Sequence, residues 1–333
     1  MSEVKRHQSG GPSRLGPPLR FLGGRVLGGA LVLLVVSFAL FSLIYLAPGG
    51  ADQALAGPYA SAEQREAIRQ LYRLDDQLLT QYLHYLRSLL VLDFGDSFLT
   101  REPVMVSLAR AAGVTVPLML TAWSVAMAGG AALGVMSALR RGGRVDRFVS
   151  TTVVIGASTP LFATAIILTW LLGIEAGWFP TMGSGDGGLD TARHLVLPAL
   201  AMIVVLLAAA TRVTRSAVLE VLDEEHVTFA RSRGVSPGRV LWDDVLRNAA
   251  VPLVTQAGGM LIALAGGLVV VESVFGLDGI GTLLTSAIAA RDVPMIQAVA
   301  LTIAAAIVAI NFIVDLAVFG LDPRVRKGAW GRG

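Results

Sequence analysis

The sequence predicts an all-α, polytopic membrane protein with six transmembrane helices. Three observations predict it: a composition too poor in charge to cover a water-facing surface, six apolar stretches of spanning length, and a lopsided placement of Lys and Arg between them. Of 333 residues, 54% are hydrophobic and only 15% are charged, against about a quarter charged in soluble domains. Most of the apolar surface must therefore face lipid or other apolar helices. A helix needs about 20 apolar residues to cross the hydrocarbon layer.

The first candidate span is 26–47, bounded by Arg25 and by the breaker Pro48-Gly49-Gly50. The segment before it is basic and rich in Gly, Pro and Ser, and the apolar run is too long for a signal-peptide core, so the run is expected to stay as a span. The second, 114–139, stops at Arg140-Arg141. The third, 148–172, follows Arg147 and carries Ser158-Thr159-Pro160 near its middle. A proline is tolerated within a span where neighbouring helices or Ser/Thr side chains satisfy the freed carbonyl. The fourth, 195–211, ends at Arg212 and Arg215; the fifth is 252–275 and the sixth 294–320. The expected organisation is a tail at 1–25 and one transmembrane domain at 26–333, with a large extramembrane segment at 48–113, a loop at 212–250 and a tail at 321–333.

Six spans put both termini on one side. That side carries 19 Lys and Arg and the other carries eight. The short loops agree, with four in 140–147 and six in 212–250 against the single residues Arg193 and Arg291. The positive-inside rule then makes both termini cytoplasmic. The outer segment 48–113 opens with a capping-box start, Ser61-Ala62-Glu63-Gln64, followed by Ala67, Ile68, Leu71 and Tyr72 at helical spacing. A second amphipathic stretch at 76–90 follows it. Both are expected as surface helices over the outer mouth.

The loop 212–250 reads as a short helix pinned at both ends. Glu220, Asp223, Glu224 and Glu225 come early and Arg231 late, as the helix dipole favours, and Gly234 supplies a left-handed stop. After Ser236-Pro237-Gly238 a second helix leads into the fifth span through Leu241, Val245 and Leu246. A lever of this kind can pass a partner's movement into the bundle, although amphipathic loops occur in many multispan proteins.

Several chemistries are excluded. There is no cysteine, so disulfides and thiolate metal sites are absent. His7, His84, His194 and His226 show no metal-ligand spacing. The two lysines, Lys5 and Lys327, lie in no G-x-x-x-x-G-K-[ST] loop. The glycines of Gly276-Leu277-Asp278-Gly279-Ile280-Gly281 follow no strand and read as a turn. No HExxH or GxSxG constellation appears. Polar residues inside spans face the bundle or a water-filled path. They are Thr121, Trp123 and Ser124 in span two, Ser158 and Thr159 in span three, Gln256 in span five, and Asn311 and Asp315 in span six. Each can equally well hydrogen-bond a neighbouring helix, and pairing with a basic residue is expected for Asp315. Glu272 reads either as a gate or partner contact or as a structural hydrogen-bond acceptor. The runs Ala128–Ala132, Gly258-Gly259 and Gly266-Gly267 allow close helix approach.

The run Glu225-His226-Val227-Thr228-Phe229-Ala230-Arg231-Ser232-Arg233-Gly234, with Arg247-Asn248-Ala249-Ala250-Val251-Pro252, resembles the EAA-type coupling motif of ABC importer permeases. Further matches in the same order are Leu46-Ala47-Pro48-Gly49, Leu74-Asp75-Asp76-Gln77 with Gln81-Tyr82-Leu83, Gly95-Asp96-Ser97, Gly177-Trp178-Phe179-Pro180, Val271-Glu272-Ser273-Val274-Phe275 with Gly279-Ile280-Gly281, and Leu321-Asp322-Pro323-Arg324-Val325-Arg326. Together they resemble the dipeptide/oligopeptide/nickel importer permeases, in the subunit with a long outer segment after its first span. The resemblance implies a type I importer permease fold in the cytoplasmic membrane of a prokaryote. It implies a homologous second permease, two ABC ATPase subunits, an extracytoplasmic binding protein and lipid as partners, with no nucleic acid. ATP and Mg would sit on the ATPases, and this chain would bind no cofactor and catalyse nothing. Glu224, Glu225, His226, Phe229, Ala230, Arg231 and Gly234 would contact an ATPase. Spans two to five would line the path, with Thr121, Trp123, Ser124, Ser158, Thr159 and Gln256 on it. The implied cargo is short peptides, with nickel chelates and glutathione-like solutes as alternatives; an ion-coupled transporter is disfavoured because Glu272 and Asp315 lie toward span ends. Two departures, His226 for Tyr or Phe and Thr228 for Arg, bear on the energetics of docking and its pH dependence.

Overall fold

A computed structural model describes residues 17–46, 50–57 and 60–321. The predicted tail is helical from Pro17, in α1 (Pro17–Leu46). The remainder of that tail, Pro48 and Gly49 of the breaker, and the C-terminal tail from Asp322 lie outside the described residues. α1 is apolar all round, as a span must be. Three short helices follow: α2 (Ala51–Ala56), α3 (Ala62–Leu71) and α4 (Leu78–Leu90). At the start of α3, Ser61 accepts from the Gln64 N–H at 3.2 Å and its own N–H donates to Gln64 Oε1 at 2.9 Å, which closes the capping box.

α5 (Val104–Leu139) begins ten residues earlier than its apolar pattern suggested. Its first turns are buried: Val104 and Leu108 pack with Ala287, Met295, Ala298 and Val299. The third span is not continuous. α6 (Arg144–Ser158) and α7 (Leu161–Leu168) meet at 102°. Pro160 has no N–H to continue the ladder and holds Thr159 in extended backbone (φ −88°, ψ 123°). The expected tolerated proline is therefore a break, after which α7 runs on as a wider-wound turn, Thr169–Glu175. α8 (Gly188–His194) leads into α9 (Val196–Leu222), which extends eleven residues beyond the predicted end and carries Arg212 and Arg215 within it. α10 (Glu225–Ser232), α11 (Pro237–Arg239) and a π-helical stretch, Val240–Leu246, lead directly into α12 (Arg247–Phe275), so Pro252 lies inside a helix instead of opening it. α13 (Ile280–Ala290) and α14 (Val293–Leu321) are the last helices of the described residues. Among the described residues five helices are long and apolar enough to span, and six if the bent α6–α7 pair counts as one span.

The core lies where α5, α7, α9 and α12 meet, around Leu118, Ala126, Ala165, Met202, Ala210 and Leu264. Helices in lipid gain little from apolar burial against one another, so close backbone approach dominates. α5 supplies it with glycine: a Cβ at Gly130 would overlap the Ala210 Cβ, and one at Gly134 would sit 2.8 Å from the Thr211 carbonyl oxygen. α1 and α14 lie at the edge, joined by Arg25 to Asp315 at 3.0 Å and by Gln297 Nε2 donating to the Leu40 carbonyl at 2.9 Å. Asp315 thus has the basic partner expected of it.

Gly134→Val should force α5 from α9 and lower stability by about 1–3 kcal/mol, read as a fall in the thermal midpoint of the purified protein in detergent. Gly28→Ala, where a Cβ meets nothing within 4 Å, should leave that midpoint unchanged.

Candidate functional site

Two residues separate the end of α9 from the start of α10. Asp223 ends α9 and Glu224 precedes α10 in extended backbone. One side chain holds α10 down: Val227 is fully buried with Ala138, Val218, Val221, Val240, Val245 and Ala249. The helix ends in a Schellman arrangement, with the Gly234 N–H donating to the Arg231 carbonyl (3.0 Å) and the Val235 N–H to the Ala230 carbonyl (3.2 Å). Gly234 has φ +78°, the left-handed backbone that glycine adopts without cost. Ala230 and Val235 pack together against the same buried cluster.

The remaining side chains of α10 point outward. Glu224, Glu225, His226, Thr228, Phe229 and Arg231 are exposed, and Phe229 is 63% exposed. A large aromatic ring left in water on a charged helix marks a docking surface better than the charges around it do. The Arg233 guanidinium lies 5.7 Å from the centre of that ring, and His226 Nδ1 lies 2.9 Å from Glu224 Oε2. A shallow depression bounded by Asp223, Glu225, His226, Thr228, Phe229 and Ser232 lies beside it. Trp242, 72% exposed on the following helical stretch, adds a second uncovered ring.

An ion pair between a buried aspartate and a half-buried arginine fixes the neighbouring helices. Asp146, in the first turn of α6, accepts from Arg215 Nε at 2.7 Å and Nη2 at 2.9 Å, from Ser137 Oγ at 2.5 Å and from the Gly142 N–H at 2.9 Å. It ties the α5–α6 turn to α9 about two turns before the end of α9. Arg141 pairs with Asp223 at 3.0 Å on the exposed rim, where such pairs contribute little. At the far side of the bundle, Glu272 is fully buried and accepts from Thr115 Oγ1 (2.6 Å) and the N–H groups of Gly281 (2.7 Å) and Thr282 (3.0 Å). It is the structural acceptor of the two readings, holding the start of α13 against α5.

The in-span polar residues divide. Trp123 Nε1 donates to the Ala257 carbonyl at 2.9 Å and joins α5 to α12 beside Gln256. Thr159 Oγ1 donates to the Ile155 carbonyl at 2.9 Å, covering one carbonyl freed by the α6–α7 break, while Ser158 is exposed beside it. Asn311 likewise bonds its own helix, at the Ile307 carbonyl. Thr121 and Ser124 are exposed on one face of α5. Sequence reasoning missed the Asp146–Arg215 clamp and Trp242; an acidic residue four positions after a Gly-Gly turn was the available local signal for the clamp.

A bundle of apolar spanning helices around a small-residue core, offering one pinned helix on a single face, defines a multi-pass membrane transport subunit. The chain belongs to the family of binding-protein-dependent transport system inner membrane components, the permease subunits of ABC importers: that family matches residues 130–327 and its N-terminal component matches 18–119. It is 35% identical over 305 residues to the probable peptide ABC transporter permease protein y4tP of Sinorhizobium fredii, covering 91% of this chain and 97% of that one. It is 35% identical over 308 residues to the glutathione transport system permease protein GsiC of Escherichia coli strain K12, covering 92% and 99%. The fold matches a chain in an inward-facing structure of the MetNI methionine ABC transporter, with a TM-score of 0.56 at 21% identity over 66% of this chain and 99% of that one.

Arg215→Leu should leave the Asp146 carboxylate without its cation and lower stability by about 1–3 kcal/mol, whereas the double change Asp146→Leu with Arg215→Leu should recover most of that loss. Thermal unfolding of the three variants in detergent checks it.

Proposed function

We propose that this chain forms, with a homologous permease, the path of an importer for short peptides, and that its own contribution to energy use is mechanical. Both termini and α10 lie in the cytoplasm of a prokaryotic cell, as the basic residues of the short loops indicate. Two ABC ATPase subunits dock under the α10 helices of the two permeases and carry the ATP and Mg; this chain binds neither and catalyses no reaction. An extracytoplasmic binding protein delivers cargo to the segment before α5. The observation that carries this reading is Phe229, uncovered on a helix whose only buried anchor is Val227.

In this reading Phe229 fills a pocket on the ATPase, with Glu224, Glu225, His226 and Arg231 as its polar rim, while Ala230 and Gly234 hold the helix in shape. Closure of the ATPases moves α10, and with it the helices that enclose the path. Thr121, Ser124, Ser158 and Gln256 line that path, and Trp123 and Thr159 shape it through the bonds they already make. The cargo class is supported by the names of two relatives at equal identity, one for peptides and one for glutathione. Glutathione is itself a short peptide, so both names point to the same chemistry.

Phe229→Ala should cut ATPase co-purification and peptide uptake at least about tenfold, the scale of a buried aromatic anchor, while membrane insertion stays normal. Gly234→Pro removes the left-handed stop and its N–H, and Ala230→Glu puts a charge into the packed underside; each should abolish transport-coupled ATP hydrolysis in proteoliposomes. Wild-type coupling in all three would remove α10 from the mechanism. Uptake by a deletion strain supplied in turn with dipeptides, longer peptides, glutathione and nickel should respond to the peptides or glutathione and not to nickel alone.

A further inference from the structure

Between α1 and α5 the chain changes chemistry abruptly. The ten residues of α3 include Glu63, Arg65, Glu66 and Arg69, whereas the thirteen of α4, LLTQYLHYLRSLL, have Arg87 as their one permanent charge. α4 does not rest on top of α1; it packs against its side. The Tyr82 hydroxyl lies 3.1 Å from the Leu34 carbonyl and 2.9 Å from Ser37 Oγ. Its ring stands edge-on to Phe38 at 5.3 Å and beside Phe41 at 5.4 Å, and Tyr85 lies 5.7 Å from Phe41. Tyr45 donates to Gln81, whose amide nitrogen donates to the Leu74 and Asp76 carbonyls, so that polar side chain is turned inward and satisfied.

These contacts fix a depth. Leu34 is the midpoint of the apolar stretch Leu22–Leu46 of α1. It lies twelve residues, about 18 Å along the axis, from the end of the helix. A tyrosine standing above the end of α1 could not reach that carbonyl. The backbone of α4 must therefore lie alongside the half of α1 remote from the N-terminus, at a level where the surroundings are hydrocarbon. About a third of a turn round α4 from the tyrosines, Leu79, Leu83 and Leu90 are exposed by 57 to 86%; Leu78 is exposed at the first turn, and Val91 and Leu92 are exposed just past the helix end. The row joins the exposed apolar face of α1, at Leu31, Val35 and Phe38. In water such a face is an aggregation surface; alongside acyl chains it is at home. Arg87 is on a stem long enough to reach the headgroups from such a position.

We propose that α4 is a half-membrane helix: the chain leaves α1, folds α2 and α3 in water, and re-enters the leaflet remote from the N-terminus so that Leu78, Leu79, Leu83 and Leu90 contact lipid acyl chains. The Tyr82–Tyr85 face ties it to α1, making a lateral lipid-facing wall before α5 begins.

The absence of cysteine allows a clean test in the assembled importer reconstituted in phosphatidylcholine–phosphatidylglycerol vesicles. Nitroxides are placed at Leu79→Cys and Leu83→Cys, with Leu31→Cys on α1 as the lipid reference and Glu66→Cys on α3 as the aqueous one. At 79 and 83 the ratio of oxygen to water-soluble nickel-chelate collisions should exceed one, as at 31. A ratio below one, as at 66, would overturn the proposal, and so would protection from both agents, which means a protein covers the face. Leu79→Trp gives an independent reading: acyl chains brominated in the outer part of the leaflet should quench its fluorescence, and no quenching would likewise overturn it. Neither readout depends on uptake or on α10, so failure here is separable from failure of the importer mechanism.

Discussion

α5 and α9 are in contact over most of their length because Gly130 and Gly134 leave room for Ala210, Thr211 and Thr214. In a membrane this matters more than in water, since lipid tails offer apolar side chains as good a home as another helix does. Dispersion between closely approaching backbones, and the few polar groups that find partners, must hold the bundle. The end of this contact is locked by Asp146 and Arg215, whose charges are mutually satisfied and further hydrogen-bonded by Ser137 and Gly142. α7 and α12 add their core residues to the same pair. The outer segment and α14 are in turn placed by α5, through the buried packing of Val104 and Leu108.

That pair runs through both faces of the bundle, which gives its two ends different work. At one end, α13 is held by Glu272 and Thr115, and the turn before α14 by Asp292, which accepts from Ser97 Oγ at 2.5 Å, the Leu99 N–H at 3.2 Å and the Met295 N–H at 3.2 Å. Two buried carboxylates thus replace a continuous core where the chain makes sharp turns. At the other end the anchoring is apolar, through Val227 and its cluster, and the polar side chains of α10 are left free for something outside the chain.

What the sequence revealed depended on how far apart the interacting residues lie. The α10 stop was legible because Ala230, Arg231, Gly234 and Val235 are near neighbours and the glycine need is local. The capping box at Ser61 and the sixth span were legible for the same reason. The α6–α7 break had a local signal in Pro160, but whether a proline bends a span or breaks it depends on what receives the second half, and α7 is received by α9 and α12. The early start of α5 was hidden because Val104 and Leu108 are buried by residues some 180 positions later. Arg215 looked like a loop arginine until Asp146, 69 positions away, was seen to claim it. The depth of α4 rests on Tyr82 meeting Leu34 across 48 positions, which an amphipathic pattern cannot report.

The same apolar cluster that pins α10 answers how movement on one face can reach the core. Val227 belongs to one buried cluster with residues from the end of α5 (Ala138), the end of α9 (Val218, Val221) and the approach to α12 (Val240, Val245, Ala249). Close-packed interiors transmit displacement instead of absorbing it. In the proposed mechanism a push on α10 would act through this cluster on the ends of three spans, and through Asp146 on the start of α6 as well. These four lead into the central core, whereas α1 and α14 stand outside the cluster and meet each other at the edge. The helix that carries the uncovered Phe229 is thus seated on the ends of the spans around the core, and α14 meets those spans elsewhere, through Val104 and Leu108.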